Sequence, residues 1–223
     1  MIKLIRNISK KKRTKIKKYS DFYLSSFGTS ILEEELAILK KELNNCEIVL
    51  SVGCGPAVHE IELAKSNPKL TIICLDPAKS MLLEGRELST EMDLLQGNAE
   101  QLPLNAETFD CIYFITSLEF IDDIKSALTE TSRVLKLGGK VLFLISNFKS
   151  WYFQKEFTEA GSYYKSKVKH LNNIELEETI ANKFKIISIT LELGIRGEEI
   201  FDTTDPEWAS LYVVSALKRE VVP

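Results

Sequence analysis

Three short stretches hold residue types at spacings that suit ligand chemistry: Gly53-Cys54-Gly55, Asp76-Pro77 and Asn98-Ala99. Each closes an apolar run. Glu47 to Val52 reads as a buried strand, and the two glycines after it let the chain turn tightly while bare backbone stays open to a ligand. Helical spacing resumes from Val58 to Ser66, so the turn sits at a helix N-terminus, where free N–H groups and positive dipole character gather. An acid some twenty residues beyond such a turn, here Asp76, is placed to accept both hydroxyls of a ribose. Asn98 can accept from an exocyclic amine or donate to a ring nitrogen, and the backbone of Ala99 can read an adenine edge. In open α/β sheets ligands bind where strands end, so the three stretches together describe an adenosine site.

The glycines narrow the ligand further. A dinucleotide fingerprint needs a third glycine for close helix–strand packing, and Val58 stands there; the phosphate-cradling Gly-Lys-Ser/Thr pattern is absent. Taken singly, each stretch has a plainer meaning: a generic α/β turn, a helix-capping acid at Asp76, a turn residue at Asn98. Their order along the chain is what favours a cofactor.

Positioning these residues requires alternating strands and helices. Leu32, Leu36, Leu39 and Leu43 predict a helix within Ser20 to Asn44, with Ser30 as cap and Glu33 completing a capping box. Leu70 to Leu75, Met92 to Gln96, Phe109 to Ile115 and Lys140 to Ile145 read as further strands. Between them lie helices from Ala78 to Glu87 and from a cap at Asp122 to about Leu135, the latter stopped by Gly138-Gly139. This rhythm predicts an α/β, Rossmann-like fold with a parallel sheet and right-handed crossovers. After Asn147 it changes: aromatics crowd Trp151 to Tyr164, a helix follows from Ile174 to Asn182, and Phe184 to Leu193 and Trp208 to Leu217 read as closing strands, with a long loop from Gly194 to Glu207. The expected division is a basic arm over 1–19, a cofactor-binding core over 20–146, an aromatic cap over 147–183 and sheet-completing strands over 184–223.

Composition is that of a globular protein, 44% hydrophobic and 27% charged, without an apolar run long enough to span a bilayer or to serve as a secretory leader. The four cysteines show no zinc-like spacing; Cys74 and Cys111 read as small buried residues, and a reducing, cytoplasmic setting is expected. Net charge is only −3, but Met1 to Lys18 carries nine basic residues and no acid, leaving −12 on the rest. That arm reads as a solvated tail, or as a segment that touches anionic surfaces.

Val49-Leu50-Ser51-Val52-Gly53-Cys54-Gly55, Asp76-Pro77-Ala78-Lys79-Ser80-Met81, Gly97 to Pro103 with Phe109 to Ile112, and Arg133 to Gly139 fall in order across about half the chain. They resemble the motifs of class I S-adenosylmethionine-dependent methyltransferases, in the small-molecule branch that includes quinone-biosynthesis enzymes. The resemblance implies S-adenosyl-L-methionine as cofactor and a seven-stranded, mostly parallel sheet with helices on both faces and an antiparallel C-terminal strand. It places Gly53 and Gly55 beneath the methionine part, Asp76 with Pro77 at the ribose, Asn98 and Ala99 at adenine, and Thr116 to Glu119 near the sulfonium and a small acceptor. The family usually has an acid where Ser51 stands, helping to hold the glycine turn and the cofactor's ammonium, and often a glycine where Ala57 stands. Ser51 still offers a hydrogen bond but no charge, so weaker cofactor binding is expected.

Methyl transfer from a sulfonium is an in-line displacement, so alignment in a dry site can suffice without a catalytic dyad. Glu119 reads either as a general base or as an exposed acid approaching a helix; His59 and His170 stand isolated, and the Trp151 to Tyr164 aromatics are either packing or a lid over an apolar acceptor. Three other functions compete. A non-catalytic cofactor-binding protein would show binding without turnover. A nucleic-acid methyltransferase is opposed by the acidic body and by Ile115-Thr116-Ser117-Leu118 in place of an Asn/Asp-Pro-Pro-aromatic motif. A nicotinamide oxidoreductase is opposed by Val58. Oligomeric state is not encoded in any motif here.

Overall fold

The computed structural model describes residues 19–159 and 162–219, so the basic arm except Tyr19 lies outside the described residues. The strands are β1 (Ile48–Val52), β2 (Thr71–Asp76), β3 (Asp93–Gln96), β4 (Phe109–Ile115), β5 (Leu135–Ser146), β6 (Phe184–Arg196), β7 (Glu199–Phe201) and β8 (Ala209–Lys218). They form one sheet in the order β3-β2-β1-β4-β5-β8-β6-β7. The first five pair parallel, while β8 runs antiparallel to β5 and β6, and β7 antiparallel to β6. Strand order reverses between β1 and β4, which sets the expected ligand crevice at their carboxyl ends.

Alternation along each strand decides which helix covers it. Leu50, Val52, Ile112, Phe114, Val141 and Phe143 join one core. That core also takes residues of α4 (Ile124–Val134), α5 (Trp151–Thr158) and α7 (Asn173–Lys183). Val49, Cys111, Tyr113, Leu142 and Leu144, the intervening residues, pack on the opposite face against α1 (Ser26–Glu42) and α2 (Val58–Ser66). Leu39, Leu50 and Phe143 are fully buried, each contributing about 1.5–3 kcal/mol. Two further helices, α3 (Lys79–Leu88) and α6 (Tyr163–Lys167), complete the described set.

The sheet has eight strands where seven were expected, because β7 folds back on β6 within the 194–207 stretch read as loop. The first helix also differs. Tyr19–Leu24 is a separate 3-10 helix, and Ser25 rather than Ser30 caps α1, its hydroxyl accepting from the Gly28 N–H at 2.9 Å. The two helices meet so closely that a Cβ on Gly28 would lie 2.1 Å from the Phe22 carbonyl oxygen. Asp123, not Asp122, caps α4 through the Ser126 N–H.

Gly138-Gly139 does not end a helix; it lies inside β5. Between the pairs Phe109↔Leu135 and Cys111↔Lys140 one strand advances two residues and the other five, so the surplus bulges out with Gly138 at φ +70°. Cys46 and Cys111, expected to be free thiols, form a disulfide with Cα atoms 6.0 Å apart. Cys46, just before β1, is brought against Cys111 by the β1–β4 pairing, which no local spacing reveals.

Candidate cofactor site

β1 stops at Val52 and the chain turns at once. Gly53 at φ +76° and Gly55 at φ +56° both occupy the left-handed region. The N–H groups of Gly53 and Cys54 donate to the Leu75 carbonyl at 2.7 and 3.1 Å, tying the turn to β2. A Cβ on Gly53 would lie 2.5 Å from Ser117 Cβ, whereas one on Gly55 would meet nothing within 4 Å. One glycine is therefore demanded by packing, while the other leaves backbone facing open space. Ala57, the residue before α2, sits at φ 57° as well, a conformation that glycine takes without strain.

Asp76 ends β2, largely buried. Its Oδ2 accepts from the Gly55 N–H at 2.9 Å and its Oδ1 from the Ala78 N–H at 2.8 Å. Each carboxylate oxygen keeps a lone-pair direction for another donor. Burial raises its pKa, against the pull of the Ala78 and Gly55 donors. Pro77 follows, its carbonyl accepting from Gln96 Nε2.

A narrow cavity of ≈ 50 Å³ lies over this turn, lined by Ser51, Gly53, Gly55, Glu60, Thr116 and Tyr23 among others. Four expected site residues thus meet: Ser51, Gly53, Gly55 and Thr116, the last at φ +40° with its N–H on the Leu144 carbonyl. Asp76 joins them through its bond to Gly55. Asn98 and Ala99 lie at the end of β3, beside β2, and do not line the cavity. Asn98 is exposed and turned on Glu100, with Nδ2 donating to Oε2 at 2.7 Å, while Ala99 is buried.

Three contributors escaped the sequence reading. Tyr23, from the N-terminal 3-10 helix, lies edge-on to the His59 ring at 5.3 Å and helps close the cavity. His59 is not isolated: its Nε2 lies 2.7 Å from Glu35 Oε2. Burial opposes its charged form, but the charge and hydrogen bond of Glu35, followed by the charge of Glu60, carry its pKa upward.

Glu60 matters most. Only 1% exposed, it accepts at Oε1 from Ser51 Oγ at 2.6 Å and from Tyr113 OH at 2.9 Å, and its Oε2 has no hydrogen-bond partner. An acid in a helix's first turn ordinarily answers the helix dipole, so its sequence position alone draws no notice. The available signal was Ser51, an uncharged residue where an anion was expected, nine residues earlier on β1.

Glu119 corrects the expectation of an exposed acid. It is fully buried in a short 3-10 turn (Leu118–Phe120) after β4, with Oε1 accepting from the Ser146 N–H and hydroxyl and Oε2 unpaired. Burial raises its pKa against its own and Ser146's hydrogen bonds. Its backbone carbonyl accepts from the Lys169 and His170 N–H groups, so it fastens the segment before α7 to the end of β4. His170 Nε2 donates to the Ile121 carbonyl at 2.9 Å. A hydrogen bond with Cys74 and burial push the Cys54 thiol up, away from the thiolate form.

The donor set fits the cofactor that the motifs imply. An acid with free lone pairs suits ribose hydroxyls, the Gly55 backbone opens on empty space, and a buried unpaired carboxylate oxygen suits a cationic group.

Comparison with known proteins agrees. Residues 50–143 match the "Methyltransferase domain" family. The chain is 31% identical over 148 residues to a ubiquinone/menaquinone biosynthesis C-methyltransferase of Blochmanniella floridana, covering 63% of this chain and 58% of that protein. It is 30% identical over 164 residues to a demethylmenaquinone methyltransferase of Shouchella clausii, covering 66% of this chain and 69% of that one. The matched stretch is thus little more than half the length of the first relative. A solved S-adenosylmethionine-dependent methyltransferase from Thermotoga maritima superposes with a TM-score of 0.70 at 21% identity, over 90% of this chain and 94% of its own, which establishes the fold.

Proposed function

The chain belongs to the class I S-adenosylmethionine-dependent methyltransferases of the quinone-biosynthesis-like type, and from that premise we propose that it methylates a small, apolar or aromatic acceptor. The observation that carries the reading is the convergence of Ser51, Gly53, Gly55 and Thr116 on one cavity, with Asp76 hydrogen-bonded into the same turn. S-adenosylmethionine, when bound, supplies a methyl group already activated by its sulfonium, so the protein's task is alignment and exclusion of water.

The chain's own residues divide that task. Asp76 accepts the ribose hydroxyls while its backbone bonds keep the glycine turn in register. Gly53 and Gly55 would lie beneath the methionine part, and Pro77, Asn98 and Ala99 would border the adenosine end. Thr116 and the adjoining Ser117, whose hydroxyl donates to the Val52 carbonyl at 2.7 Å, fix the end of β4 against the turn. The 3-10 helix carrying Tyr19 and Tyr23 closes the cavity from above.

The acceptor side we assign to the cap, 147–183. Its inner aromatics form a continuous chain: Phe148 to Phe153 at 5.0 Å, Phe153 to Tyr164 at 5.4 Å, and Tyr164 to Phe120, just past β4, at 6.2 Å. Phe148 and Phe153 are buried as packing, which anchors the cap and leaves Trp151, 37% exposed, toward the outside. The exposed Trp151 and the half-buried Tyr152, Phe157 and Tyr164 are the cap aromatics left to meet an apolar acceptor, in keeping with the quinone-type names of both relatives. An acidic body argues against nucleic acid, and no helix among the described residues is long and apolar enough to cross a membrane. The cytoplasm is the setting we propose, one in which the Cys46–Cys111 bond has to persist against a reducing thiol pool.

Titration calorimetry with S-adenosylhomocysteine tests the reading. The wild type should bind, and Asp76→Ala should weaken binding at least about tenfold through loss of a charged hydrogen-bond acceptor. Absence of any heat or thermal shift with the wild type overturns the proposal.

A further inference from the structure

The cavity holds a feature that the family's motifs do not account for. Ser51 brings no charge to the end of β1, yet a carboxylate stands beside it. Glu60, from the first turn of α2, reaches over β1 and β4 and is gripped by hydroxyls on two paired residues, Ser51 and its neighbour across the strands, Tyr113. Both bonds fall on Oε1. Oε2 is left buried with no donor, in a side chain that lines the cavity.

A carboxylate oxygen in that state is costly unless something supplies a donor, and a cation supplies the strongest kind. No lysine or arginine lines this cavity. The one basic group on its wall, His59, is engaged with Glu35. The nearest strand-end acid, Asp76, already takes two backbone donors. Of the buried side-chain oxygens left without a partner among the described residues, only Glu60 Oε2 belongs to a residue lining this cavity, and the ligand that fits it carries a positively charged N–H donor at the glycine-turn end of the site.

Resting on the cofactor assignment above, we propose that Glu60, and not residue 51, holds the α-ammonium of the S-adenosylmethionine amino-acid moiety. The charge usually carried at the end of the first strand has moved to the facing helix. Ser51 and Tyr113 act as positioning residues that turn one oxygen inward and leave the other for the ligand. Weak cofactor binding, which Ser51 by itself predicts, is accordingly not expected.

The test removes the charge from each side separately. Three probes are titrated into the wild type and Glu60→Gln: S-adenosylhomocysteine, the same compound lacking its α-amino group, and 5′-methylthioadenosine, which lacks the amino-acid portion. Glutamine keeps an oxygen for Ser51 and Tyr113 but puts an amide NH2 where the free oxygen was. The wild type should prefer S-adenosylhomocysteine over the deaminated probe by about 10- to 100-fold, the worth of a charged hydrogen bond. Glu60→Gln should erase that preference and leave 5′-methylthioadenosine affinity within about twofold, since that probe never reaches the ammonium site. A preserved preference in Glu60→Gln overturns the assignment. If the variant does not fold, the wild type decides alone: equal affinity for the intact and deaminated probes overturns it. Failure of the wild type to bind either S-adenosylhomocysteine or 5′-methylthioadenosine would instead refute the cofactor reading itself.

Discussion

Two alanine substitutions in the glycine turn, two residues apart, should behave differently. At Gly53 an L side chain meets two penalties. The backbone is at φ +76°, which costs a non-glycine residue about 1–2 kcal/mol. Its Cβ would also lie 2.5 Å from Ser117 Cβ and 2.9 Å from Ser117 Oγ. Ser117 cannot retreat freely, because that hydroxyl holds the Val52 carbonyl at 2.7 Å. Overpacking of this kind costs about 1–3 kcal/mol and a lost hydrogen bond about 1 kcal/mol more. Gly53→Ala should therefore lose about 3–6 kcal/mol, or roughly 6–24 °C in Tm for a chain of this size. Gly55→Ala, at φ +56° with nothing within 4 Å, meets the backbone penalty alone, about 2–8 °C. Yet its methyl group enters the cavity, so this well-folded variant should lose cofactor affinity. Scanning calorimetry with and without S-adenosylhomocysteine separates the two. Equal losses of Tm would refute the packing argument, and wild-type ligand-induced stabilisation in Gly55→Ala would refute the placement of the ligand over the turn.

Three further outcomes follow from the same geometry. The buried Glu119 holds its proton to higher pH in the folded state than in the unfolded chain, so the stability it confers is present below the ordinary carboxylate value of about 4.3 and is lost as pH rises through its raised pKa. Urea unfolding across pH should fall less steeply for Glu119→Gln than for wild type, and parallel slopes would refute this. Asp110 accepts from the Glu47 and Ile48 N–H groups and from Lys136 Nζ, so Asp110→Ala should cost about 2 kcal/mol by urea titration, with S-adenosylhomocysteine affinity unchanged; a changed affinity would put Asp110 in the site instead. The Cys46–Cys111 bond spans 65 residues, so its reduction should cost about 4 kcal/mol by the chain-entropy estimate. Alkylation under denaturing, non-reducing conditions should label two cysteines of four, and four labels would show that the pair is reduced, as cytosolic thiols ordinarily are.

Sequence reading reached the sheet because its evidence is periodic, and the strand ends because their chemistry is local. Gly53, Asp76 and Thr116 sit where a turn or strand end obliges them to sit, and neighbouring residues reveal that obligation. What escaped depends on elements distant in sequence. Gly138-Gly139 looked like a helix stop, since nothing nearby tells a bulged strand from a helix end; only the register against β4 does. Glu119 looked like a surface acid because its partner, Ser146, comes from the next strand. Tyr23 counted as part of a helix because the break at Ser25 depends on how tightly Gly28 meets Phe22. The Arg133 signature proved architectural: its guanidinium binds the Leu102 and Leu104 carbonyls and Glu130, clamping the loop after β3.

Ser51 and Glu60 combine both kinds of evidence, and their pairing explains why the departure from the family motif is tolerable. An aspartate at position 51 would set a second carboxylate against the Glu60 oxygen that Ser51 now satisfies, exchanging a 2.6 Å hydrogen bond for like-charge repulsion in a buried setting. Conversely, a serine there without Glu60 would leave the cavity lined by no acid, since Asp76, outside its lining, already takes the Gly55 and Ala78 N–H groups. Neither change is sensible alone. The serine is therefore better understood as the donor that a relocated carboxylate requires, and Tyr113, buried in the adjacent strand with its hydroxyl on the same oxygen, is the second half of that support. The charge that the first strand lacks is present in the fold, in the first turn of the helix that follows, on a side chain lining the cavity that the strand was expected to serve.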